Sequence, residues 1–146
     1  MLLLRNMKKK SKVGKKLVFS IALNPYRQEC IVVVNGHIDD AVGFLKKMKT
    51  PNADIIIKEI KDNYKEYSRG NTKNGAVLWK SLPVGYIMQF DHLDSWVETN
   101  GLVVHESLHL VHYVLSRVGI DMNEDTQEAY TYLLESVTKE ILAMIY

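Results

Sequence analysis

The run GLVVHESLHLVHYVL, Gly101–Leu115, constrains this chain more than any other stretch. It is apolar and periodic like a core helix, yet it carries His105, Glu106, His109 and His112. Polar side chains cost free energy when buried without partners, so the helix must turn these four onto a face that satisfies them. His105 and His109 are four apart and share one helical face, so both imidazoles can converge on a single ion. Zinc accepts neutral imidazole nitrogen at about 2.0–2.1 Å in tetrahedral geometry. Glu106, one position on, is rotated away from the ion and toward a water that the ion activates. A carboxylate there can take the water's proton.

The flanking sequence frames this helix. Ser95 and Glu98 form an S-x-x-E capping pair, while Asn100-Gly101 offers a second start, so the helix begins at one or the other. Arg117 and then Gly119 mark its end. Asp121 or Asn123 is expected to cap a final helix running to Tyr146, with Ala129, Leu133, Val137 and Ile141 on one stripe and Glu124 and Asp125 in its first turn. Upstream, LVFSIAL (17–23) and CIVVVNG (30–36) read as strands joined through the turn formers NPYRQE. IDDAVGFLKKM puts Ile38, Ala41, Val42, Leu45 and Met48 on one helical face, and Thr50-Pro51-Asn52 ends it. ADIIIKEIKDNYKEY repeats the pattern with Ile56, Ile60, Tyr64 and Tyr67. SRGNTKNG (68–75) reads as a loop, and AVLWKSL and GYIMQF as strands on either side of Pro83. The order β-β-α-α-β-β-α-α predicts an α+β domain with a small mixed sheet of about four strands and two C-terminal helices packed together.

At 146 residues the chain fits one domain, long enough to bury a core without disulfides. The division expected is a basic, flexible arm over 1–16 and a single domain over 17–146. Net charge is only +2, much of it from the arm RNMKKKSKVGKK, which is expected to be a solvated tail. That arm lacks interleaved aromatics and the rest shows no basic face, so no nucleic-acid partner is expected. The single cysteine, Cys30, excludes an intramolecular disulfide and reads as a small buried hydrophobe. LVFSIAL sits at the lower length limit for a secretory signal's apolar segment and runs into NPYRQE with no cleavage site, so no signal peptide is expected. No apolar run approaches the ~20 residues of a membrane helix. A cytoplasmic location and no membrane partner are therefore expected.

A catalytic zinc needs a third protein ligand. EDTQEAYTYLLES on the last helix offers Glu128, with 18 residues between it and His109, and Glu135, with 25. H-E-x-x-H followed on the next helix by a glutamate resembles the gluzincin-type zincin metallopeptidases, and QEAYTY resembles their glutamate-centred motif. The chain also resembles small zincin-like proteins encoded by bacteriophages, in which an H-E-x-x-H helix ending near GI precedes an EAYAY-like segment. The resemblance covers roughly residues 75–140. It implies a zincin-like domain with His105, His109 and Glu128 as ligands of Zn²⁺, Glu106 as general base and a peptide or protein substrate. It also implies an edge strand before the active helix, GYIMQF by position, that holds an extended peptide. Tyr130, Tyr132 and His92 are candidates to stabilise an oxyanion, Tyr130 foremost. His112 lies ~10.5 Å along the axis from His105 and is either hydrogen-bonded to a carboxylate such as Glu135 or simply packed. The alternative expectation is a zincin-like structural or virion-associated phage protein, with a phage protein as partner, in host cytoplasm or virion, and with a metal that does no catalysis.

Overall fold

The computed structural model describes residues 14–49, 51–62, 76–82, 85–90 and 95–146, with backbone alone over 76–82. The expected loop 68–75, Tyr64, Tyr67, Pro83, His92 and most of the basic arm lie outside these residues. The elements are β1 (Leu17–Leu23), β2 (Gln28–Val34), α1 (Ile38–Met48), α2 (Ala53–Asp62), β3 (Ala76–Leu82), β4 (Gly85–Phe90), α3 (Trp96–Arg117) and α4 (Gln127–Ile145). The fold is α+β, and the sheet is mixed, in the order β1-β2-β4-β3.

β1 and β2 pair antiparallel, Leu23 opposite Gln28, across the turn. β2 and β4 pair parallel, with Cys30 opposite Tyr86 and Val34 opposite Phe90. Strands paired parallel are usually covered on both faces and read as unbroken apolar runs, and CIVVV and GYIMQF are such runs. Every residue of β4 is buried. β4 is therefore not the edge strand expected of GYIMQF: it lies between β2 and β3, and β3 occupies the edge. Gly85 opens β4 because a Cβ there would sit 2.7 Å from the Glu29 carbonyl oxygen.

Alternation along the strands splits the core into two layers. Cys30, Val32, Val34, Tyr86, Met88 and Phe90 face α3 and α4. Ile31, Val33 and Ile87 face α1 and α2 through Ile38, Leu45, Ile56 and Ile60. Cys30 is fully buried and free, and burial pushes its thiol pKa far up. The last residues of the arm are tied to the domain, since Lys16 pairs with Asp40 at 3.1 Å and Asn35 Nδ2 donates to the Lys15 carbonyl.

α3 starts at Trp96, with Ser95 Oγ accepting from the Glu98 N–H, which settles the choice between the two starts. It stops in a Schellman turn: Gly119 N–H donates to Ser116 O and Ile120 N–H to Leu115 O, with Gly119 at φ 81°. α4 starts later than its acidic cluster suggests. Asn123 Oδ1 accepts from the Asp125 and Thr126 N–H groups, so Glu124 and Asp125 lie in a turn and Gln127 begins the helix. Among the described residues, no helix is long and apolar enough to cross a membrane.

Candidate metal centre

α3 buries Val103, Ser107, Leu110, Val111 and Val114 on one side and exposes His105 and His109. The two imidazoles meet edge to face, with ring centroids 4.9 Å apart. Their Nε2 atoms are 3.3 Å apart. Two ligand nitrogens about 2.0–2.1 Å from one tetrahedral ion are separated by about 3.3–3.4 Å, so the pair has the spacing of two zinc ligands. Glu106 is one residue on, about 100° round the helix, which carries it to the flank of the buried face. Its side chain is 9% exposed, against 65% for His105, and Glu106 Oε1 lies 3.7 Å from His105 Nε2. Burial pushes the Glu106 carboxyl above the ordinary carboxylate range, while the imidazoles of His109 and His105 pull it back. Among the described residues, His105, Glu106 and His109 are the group of three that can hold a metal ion, with ligand atoms within 4.8 Å of one another.

The expected third ligand is not in this group. α3 and α4 run antiparallel, with Tyr146 reaching the Trp96 carbonyl at one end and Tyr130 meeting His112 at the other. In that register Glu128 is level with Val114, about 7.5 Å along the axis beyond His109. Glu128 also lies about 160° round α4 from Tyr130, Leu133, Val137 and Ile141, the stripe that α4 buries. Packing that stripe turns Glu128 to the outer face, where it is exposed. Glu135 is level with the histidines but shares the outer face and pairs with Lys139.

Tyr130 does not face the histidine pair either. It belongs to the buried stripe of α4, and its hydroxyl donates to the Ile120 carbonyl at 2.8 Å. Tyr132 is exposed on the outer face. His112 is exposed and makes no carboxylate contact among the described residues: its ring meets Tyr130 edge-on at 5.9 Å and its Nδ1 lies 3.3 Å from Ser116 Oγ.

One residue of the site went unmarked by motif. The Tyr113 ring stacks on His109 at 6.5 Å and 20°. The signal was in the sequence, since Tyr113 is one helical turn after His109. Partners that fix a ligand's orientation typically contribute 10–100-fold to metal affinity. Where the pair holds an ion, Tyr113→Ala is expected to weaken metal binding by up to about tenfold, with Tyr113→Phe unchanged, in a chelator-competition titration. Equal affinities for the alanine variant and the parent would remove this role.

Compared with known proteins, the chain matches no family model, no curated protein and no solved structure.

Proposed function

We propose that the chain is a zinc-dependent hydrolase, and within that class a metallopeptidase. The observation that carries the reading is the His105–His109 pair at tetrahedral-edge spacing with the largely buried carboxyl of Glu106 beside it. His105 and His109 hold the ion. Zinc in that position supplies a Lewis acid that acidifies water and polarises a carbonyl. Glu106 takes the proton from the attacking water and passes it to the leaving amine. β3 forms the sheet edge and contacts α3, so an extended peptide would pair with β3 rather than β4.

A specific observation supports a second reading. Neither Glu128 nor Glu135 joins the histidine pair, which suits a zincin-like structural or virion-associated protein whose metal does no chemistry. The first reading needs the metal, and in the second the metal is structural or absent; the test is direct. Protein purified with zinc and dialysed is expected to retain about one ion per chain, as structural and catalytic sites do. The His109→Ala variant is expected to retain none. A parent protein that loses zinc as readily as His109→Ala would sink the hydrolase reading and leave the second without a metal.

A further inference from the structure

The opposite face of the sheet holds a second concavity. A cleft of about 400 Å³ opens where the β1–β2 turn and the start of β4 meet the connection between α1 and α2. Ile31, Leu45 and Ile56 line it, all buried members of the α1–α2 core layer. Arg27, Glu29 and Asn52 line it too. This is the size and character of a small-molecule site: an apolar floor with a few polar groups placed to orient what enters.

Its charged lining gives the cleft more than shape. Arg27 and Glu29 carry opposite charges at one cleft, yet neither makes an ion pair with the other or with any described residue. The cleft therefore offers one guanidinium and one carboxylate above a branched apolar floor. A guanidinium accommodates a carboxylate through paired N–H donors, and the Glu29 carboxylate accommodates an ammonium. An apolar side chain between those two charges gains by leaving water against Ile31, Leu45 and Ile56.

We propose that this cleft binds a free apolar α-amino acid, with its carboxylate at Arg27, its ammonium at Glu29 and its side chain against Ile31, Leu45 and Ile56. The site is separate from the histidine pair and does not depend on the metal reading.

The test is an NMR titration of the isotope-labelled full chain with L-leucine. Saturable binding is expected with a dissociation constant of about 1 mM or tighter, moving the Ile31 and Ile56 methyl signals. N-acetyl-L-leucine lacks the ammonium and L-leucinamide lacks the carboxylate; each is expected to bind about tenfold more weakly, a loss of about one charged contact. Arg27→Gln and Glu29→Gln, both at exposed positions, are expected to weaken leucine binding by about the same factor. The proposal is overturned if neither leucine nor phenylalanine binds saturably. It is equally overturned if leucine and its two derivatives bind alike, or if the shifted signals map to α3 instead of the cleft.

Discussion

On the proposed metallopeptidase reading, Glu106→Gln is expected to lower the rate of peptide hydrolysis by about 10²–10⁴, the usual contribution of a positioned general base, while zinc stays bound. The amide keeps the size of the side chain and removes its ability to accept a proton. Zinc retention would separate this variant from His109→Ala, which is expected to lose the ion itself. Stability offers a second control with a definite sign. Burial holds the folded-state pKa of Glu106 above its unfolded value. A group shifted up in this way contributes stability below its unfolded pKa and loses it as pH rises through the folded one. In metal-free protein at neutral pH the upward shift therefore costs stability, and glutamine, which never ionises, carries no such cost. Metal-free Glu106→Gln is expected to melt no lower than the parent at pH 7, and its advantage is expected to shrink below about pH 4, where the unfolded carboxyl is protonated as well. An inactive, zinc-loaded, fully folded variant would assign the chemistry to Glu106. Full activity in the same variant would leave the metal with a structural role.

Phe90→Ala is expected to cost about 3–5 kcal/mol, the range for a buried aromatic cut to alanine. Phe90 is fully buried at the end of β4, in the layer that faces α3 and α4. Its carbonyl accepts the Asn35 N–H at 2.7 Å, which ties the ends of β2 and β4 together. In a chain of this length the loss corresponds to a melting point lower by about 6–20 °C. α3 rests on the same layer, so zinc binding is expected to fade at a lower temperature in this variant. A cost below about 1 kcal/mol, measured by urea unfolding, would mean that the site collapses to fill the space and that this layer is not the platform for α3.

The sequence carried the elements further than their arrangement. Period-3.6 stripes located α1, the start of α2, α3 and α4, and Ser95 and Gly119 act as caps because their chemistry is local. The histidine pair was legible for the same reason: i, i+4 spacing is a property of a single helix. What failed depended on two elements at once. Glu128 has the right interval from His109, but interval says nothing of which side of α4 packs inward, and Tyr130, Leu133, Val137 and Ile141 decide that. Tyr130 was drawn in by its place in QEAYTY, whereas burial commits its hydroxyl to Ile120. β4 was mistaken for an edge because its unbroken apolar run was read for its position before α3, not for the two covered faces that such a run implies. Tyr113 was within reach of the same one-turn rule that found the histidines.

The parallel pairing of β2 with β4 also bears on how the chain folds. Cys30 meets Tyr86, and Val34 meets Phe90, across more than fifty intervening positions. Closing so long a loop carries an entropic cost before any pairing repays it, and folding slows as contacts become more distant in sequence. During synthesis the β1–β2 hairpin emerges first, with the apolar edge of β2 unpaired until β4 has been made. That interval is when this chain is most exposed to aggregation, and a chaperone that shields an extended apolar strand would act on β2.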